Sequence, residues 1–198
     1  MSVRILPTLI VLALMAGCAS TKIETTGTPP AQPLCQTDKP AVSTAVYWGP
    51  QWRPDQKEPP LREAAALRGI EDFLKRAGCL AVTGVHHLPA EMPLPTNEEL
   101  VRLAANSPPV PERLLLIVVR ELGPRLVIGI PVIIEGSTEV QIELRVLNPK
   151  TAESLANTQT LWQNGGTFVI KGVKTLDQDM SAALSAVLMP GVAAPRPR

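Results

Sequence analysis

The chain has 198 residues, 45% of them hydrophobic and 3% aromatic, with 19 Lys and Arg against 18 Asp and Glu, and three Cys. A formal net charge of +1 argues against nucleic-acid binding through a basic field, and three cysteines are too few for a disulfide-rich miniprotein. One domain with an aliphatic core suits this length.

The chain opens MSVRILPTLIVLALMAGC, with Arg4 ahead of an unbroken apolar run from Leu9 to Met15, then two small residues and a cysteine. This is the pattern of an export signal, its apolar stretch too short for a stable membrane span. Leu14, Met15, Ala16, Gly17 and Cys18 resemble the lipobox of bacterial lipoproteins. The resemblance implies that residues 1–17 are removed and that Cys18 carries lipid; an ordinary signal peptide cut nearby would leave Cys18 as a free thiol. Ala19 in the second mature position lacks the Asp that favours inner-membrane retention in enterobacterial lipoproteins. The expected location is therefore the outer membrane, with the chain facing the periplasm and lipid as its membrane partner. In that oxidising compartment Cys35 and Cys79 can form a disulfide, contributing about 4 kcal/mol by chain entropy, or remain two thiols buried apart.

Residues 18–41 read as the lipidated cysteine and a flexible tether, because they hold almost no large apolar side chain and cannot fold alone. Val42 to Trp48 is the first predicted strand, and Pro50, Pro54, Pro59 and Pro60 break the segment after it. Leu67, Ile70, Phe73, Leu74 and Ala77 then stripe a helix that Pro60 starts and Gly78 stops. A strand over Leu80 to Leu88 follows. Thr96 and Glu99 form a capping box for a short helix ending near Asn106.

Leu114 to Val119 is a run of β-rich apolar residues, expected as a central strand covered on both faces. Gly123-Pro124 is expected to turn the chain. Leu126 to Ile134 is then a second apolar strand, expected to be buried, with Pro131 marking an edge, bulge or break; an oligomer interface is its functional alternative. Thr138 to Leu147 alternates, with Val140, Ile142, Leu144 and Val146 inward and Glu139, Gln141, Glu143 and Arg145 outward. Asn148 to Ala152 turns into a hairpin partner over Leu155 to Trp162. Gly165-Gly166 breaks it ahead of a short strand from Thr167 to Lys171. A second capping box, Thr175 and Gln178, opens a last helix with Leu176, Met180, Leu184 and Leu188 on one face. The expected architecture is α+β, a mixed β-sheet covered by about three helices in the order β-α-β-α-β-β-β-β-α. It forms a single periplasmic domain over residues 42–189 with a disordered tail over 190–198.

Motifs for catalysis are absent: no nucleophile elbow, zinc-protease helix, phosphate loop or dinucleotide fingerprint occurs. His86 and His87 are adjacent on a strand, point to opposite faces and cannot converge on one metal. Asp177 with Asp179, and Glu98 with Glu99, fall in first helical turns where the helix dipole favours negative charge. The reading is therefore no catalytic residue, no metal and no cofactor. Tyr47, Trp48 and Trp52 are the candidate binding cluster, a docking surface for a protein, glycan or lipid headgroup; the alternative is that the rings lid the core.

In element order, in the strand RLLLIVVREL and in the hairpin RVLNPKTAESLANTQTLW before a closing helix, residues from about 42 to 188 resemble a small periplasmic domain. That domain is shared by the curli-secretion-channel lipoproteins, the TolB amino-terminal domain and several outer-membrane assembly lipoproteins. The resemblance implies a scaffold or assembly role, often oligomeric. The leading expectation is a non-enzymatic, lipid-anchored accessory subunit of an envelope export or assembly complex, with an envelope protein or a second copy as partner and no nucleic acid. The alternatives are a peptidoglycan- or lipid-binding module using Tyr47, Trp48 and Trp52, and a periplasmic enzyme whose polar residues converge from distant loops.

Overall fold

The structure, a computed structural model, describes residues 19–31, 34, 39–106, 109–130 and 133–189. Cys18, Cys35, Pro131 and the tail over residues 190–198 lie outside them. The elements are β1 (Ser20–Thr28), β2 (Val42–Pro50), α1 (Pro59–Arg76), β3 (Leu80–His87), α2 (Asn97–Ala105), β4 (Arg113–Gly129), β5 (Ile133–Leu147), β6 (Ser154–Thr167) and α3 (Leu176–Leu188). Among the described residues one mixed sheet has six strands in the order β1-β6-β5-β4-β2-β3. Strands β3, β2 and β4 run parallel, and β4, β5, β6 and β1 alternate in direction. This is the expected α+β class.

The first half of β4 is buried on both faces because helices cover both. Leu115, Ile117 and Val119 join Val46, Trp48, Val140, Ile142, Leu144, Val146 and Trp162 in the main core under α1 and α3. Leu114, Leu116 and Val118 point the other way, into a smaller core with Ala45, Tyr47 and Leu147 under Leu100 and Ala104 of α2. Helix α1 starts on two prolines and buries Ile70, Phe73 and Leu74 of the expected stripe together with Ala65 and Ala66, while Leu67 is partly buried. The capping box of α2 forms as expected, Thr96 Oγ1 accepting from Glu99 N at 3.2 Å and Thr96 N donating to Glu99 Oε2 at 2.8 Å.

Five expectations change. Part of the tether is a strand: β1 pairs with β6 from Ser20 opposite Gly165 to Thr28 opposite Asn157. Its Thr-rich sequence buries no side chain, and it is held through backbone hydrogen bonds to a sheet already built, which a segment unable to fold alone can still use. Gly123-Pro124 does not turn the chain, because β4 continues to Gly129 and Pro124 pairs with Thr138. Strand β2 leaves β4 after Pro50 opposite Val119, so Pro124 lies where β4 is an edge and a missing N–H costs no ladder bond. Gly165-Gly166 does not break β6 either. A Cβ at Gly165 would stand 2.2 Å from Gly136 O, so the glycine is there for close strand contact.

The strand expected over Thr167 to Lys171 is absent, since Phe168 leaves the ladder with φ 59. The second capping box does not form: Thr175 makes no cap bond, and its Oγ1 donates instead to Asp179 Oδ2 at 3.1 Å. Of the segment Leu126 to Ile134, expected as a strand of its own, Leu126 to Gly129 ends β4 and Ile133 opens β5.

Candidate interaction surface

Tyr47, Trp48 and Trp52 do not form a surface. Tyr47 and Trp48 are neighbours on β2, so they enter opposite cores and are 3% and 2% exposed. Trp52 lies partly buried against the main core, its indole N–H donating to Glu63 Oε1 at 3.2 Å. The docking cluster is thereby overturned, and the rings serve as core and lid. His86 and His87 do point apart. His86 stacks on Tyr47 with centroids 4.7 Å apart, and His87 tilts over Trp48 at 4.5 Å, each covering one ring from the edge strand β3. Among the described residues no three His, Cys, Asp or Glu gather in a group suited to a metal ion.

Asp179 lies with Asp177 in the first turn of α3, as expected. It is fully buried beneath β5, where burial raises its carboxyl pKa above the ordinary range against the opposing pull of Thr138, Lys171 and Thr175. Its charge is thus disfavoured in the folded state.

A second buried polar group anchors the middle of β4. Arg62 of α1 places Nη1 3.3 Å from Glu121 Oε1 and donates through Nε to Lys57 O at 2.6 Å and through Nη1 to Leu122 O. Gln56 and Arg53 close on the same carboxylate at 3.2 and 2.8 Å. Gly123 leaves the room, since a Cβ there would fall 1.7 Å from Arg62 Nη1. A bulge between Val119 and Glu121 lets both Val119 and Leu122 face the main core.

Beyond this clamp β4 and β5 run on together, with β6 paired to β5 as far as Glu135 opposite Thr167, and from Ile128 opposite Ile134 outward they form a two-stranded arm. The expectation of a buried strand over Leu126 to Ile134 fails at its described residues. Leu126, Val127 and Ile128 are exposed, Ile128 at 66%, and Ile130 is 101% exposed. The reason is coverage: β2 ends at Pro50, and α1 and α3 pack over the other half of the sheet. Beside it stand Phe168 and Ile170, 65% and 85% exposed, with Phe168 N donating to Ile134 O at 2.7 Å. Phe168 sits at φ 59, a region that bulky residues avoid at a cost of about 1–3 kcal/mol, so the fold holds this ring outward. Sequence reasoning missed Phe168 and Ile170, because their apolar alternation looks like a strand and the positive φ of Phe168 leaves no mark in composition.

A smaller apolar shelf lies on the α2 side. Leu88, Met92, Pro93, Pro95 and Leu103 line a cavity of about 270 Å³, with Met92 and Leu103 exposed. Glu99, Arg102 and Asn106 complete the lining of that cavity. No helix among the described residues is long and apolar enough to cross a membrane.

No family model matches the chain, and no curated protein does. Solved structures superpose in part. The chain is similar to PelC of the dodecamer from Paraburkholderia phytofirmans, with 12% identity and a TM-score of 0.44 over 85% of this chain and 98% of that one. It is also similar to the lipoprotein GNA1162 from Neisseria meningitidis, with 15% identity and a TM-score of 0.35 over 62% of this chain and 83% of that one. Likeness this partial leaves the function to be argued from the chain's own residues.

Proposed function

We propose that this chain is an outer-membrane lipoprotein, held by lipid on Cys18 and facing the periplasm, that works by binding as an accessory subunit of an envelope export or assembly complex. The observation that carries the reading is apolar surface left outside filled cores, on the α2 shelf at Met92 and Leu103 and on the arm. A domain whose cores are filled still keeps Leu126, Val127, Ile128, Ile130, Phe168 and Ile170 outside, and exposed apolar patches of this kind mark contact sites. The absence of catalytic motifs in the sequence and the two stacked, separated histidines favour binding over catalysis.

The second element of the proposal is a Cys35–Cys79 disulfide. Leu34 and Leu80, the chain neighbours of the two cysteines, line one small cleft, and Arg113 Nη1 donates to Leu34 O at 3.4 Å. Those contacts bring the two segments together at the end of the sheet where β2, β3 and β4 begin.

In-cell photocrosslinking from Met92 and Leu103 on the α2 shelf, followed by size analysis, tests the accessory role. Discrete adducts, either multiples of this chain or one recurring envelope protein, are the expected result; a strictly monomeric chain would count against it. Cys18→Ser is expected to abolish acyl labelling and release the protein from the membrane fraction.

A further inference from the structure

Strand register fixes where the amino terminus leaves the domain. Ser20 pairs with Gly165, Gly165 with Ser137, and Ser137 with Arg125, so the start of β1 lies on one rung with the root of the arm. Only Ala19 separates Ser20 from Cys18. The end of the sheet that carries the exposed apolar residues is therefore the end at which the lipid-bearing cysteine emerges, while Leu34, Leu80 and the turn at Lys150 lie at the opposite end.

We propose that the arm, with Phe168 and Ile170 beside it, dips into the bilayer that holds the acyl chains of Cys18, as a second membrane contact that orients the domain. This deepens the lipid-anchor reading and rests on it. From Ser20 to Cys18 the chain spans at most about 7 Å. From the same rung, Arg125 to Ile130 advances roughly 17 Å at about 3.3–3.4 Å per residue. With Cys18 at the lipid interface, the end of the arm is carried about 10 Å further in, the depth to which interfacial elements bury their apolar groups, about 5–10 Å.

Charge follows the same depth scale. Glu135 pairs with Val127, at the level that Cys18 reaches, and beyond that pair the residues Ile128 to Ile134 carry no charge. Arg125 lies one step nearer the domain, ion-paired with Glu139, and Lys171 and Lys174 follow Ile170, where ammonium groups meet headgroup phosphates. Exposure on both faces of the arm also distinguishes lipid from a protein groove. Leu126 and Ile128 point one way and Val127 the other, and all three are exposed. A groove covers one face of a hairpin, whereas acyl chains surround both.

The test uses the full acylated protein in vesicles of phosphatidylethanolamine and phosphatidylglycerol with brominated acyl chains. An environment-sensitive fluorescent amino acid replaces Ile130 in one sample and Lys150 in another. The expected result is that the probe at position 130 shifts to the blue and loses most of its emission to the bromines, while the probe at position 150 is unaffected. Vesicle-bound protein whose probe at position 130 is no more quenched than at position 150 would overturn the proposal, leave the anchor standing and make a protein the occupant of the arm. Native protein found to carry no acyl group on Cys18 and not retained by vesicles would overturn the anchor reading and this one with it.

Discussion

The two halves of β4 have nearly the same chemistry and opposite fates. Leu114 to Val119 is buried on both faces, whereas Leu126 to Ile130 is exposed on both. Ile117 is 0% exposed and Ile128 66%, on one continuous strand. The difference lies in the neighbours: β2, α1, α2 and α3 cover the first half, and β2 stops at Pro50. Apolar sequence supplies the demand for burial, and topology decides whether it is met. A stretch whose demand is left unmet by its own fold is the place to look for function.

The comparison can be broken at several points. The largest effect is expected from the proposed bridge. Reduction, or Cys79→Ser, removes about 4 kcal/mol of loop-closure stabilisation and lowers Tm by about 10 °C; an unchanged melting curve would show that the bridge is absent or idle. Ile117→Ala should cost about 2–5 kcal/mol in denaturant unfolding, since it opens a cavity in a filled core. The same substitution at Ile128 should stay within about 0.5 kcal/mol, and equal costs at the two sites would refute the contrast.

Between the halves, Arg62→Ala strands the buried Glu121 carboxylate and should cost about 3 kcal/mol, less whatever Arg53 and Gln56 recover. Gly123→Ala should act in the same direction by displacing the Arg62 guanidinium. The smallest effect concerns pH. Asp179 has a raised pKa in the folded state, so its contribution to stability is fully present below the ordinary carboxylate range. That contribution is lost as pH rises through the raised value. Asp179→Asn, which keeps an acceptor for Thr175, should therefore stabilise the protein at neutral pH and flatten its acid-side stability profile; a loss of stability at pH 7 would contradict this.

Local chemistry was readable wherever one element decides its own structure. The stripe of α1, the Thr96 and Glu99 cap and the inward face of β5 depend on spacing within a single segment and appear as expected, except that Leu67 is only partly buried and Glu143, expected outward, is buried. Features decided by a distant partner were not readable. Nothing in STKIETTGT announces a strand, because its stability is borrowed from β6. Tyr47, Trp48 and Trp52 cluster in sequence but disperse in space, since adjacent strand residues face opposite cores. Leu126 to Ile130 was visible as apolar, yet its exposure depends on where β2 and the helices end. Thr175 could cap its helix or bond Asp179, and the buried carboxylate prevails.

The proposed orientation on the membrane is tested most directly by hydrogen–deuterium exchange of the acylated protein, with and without vesicles. The expected result is new protection confined to β1, Arg125–Gly129 and the start of β5, with the turn at Asn148–Glu153 and the exposed end of α1 unchanged. Protection of that turn, or no change at the arm in vesicle-bound protein, would contradict the account.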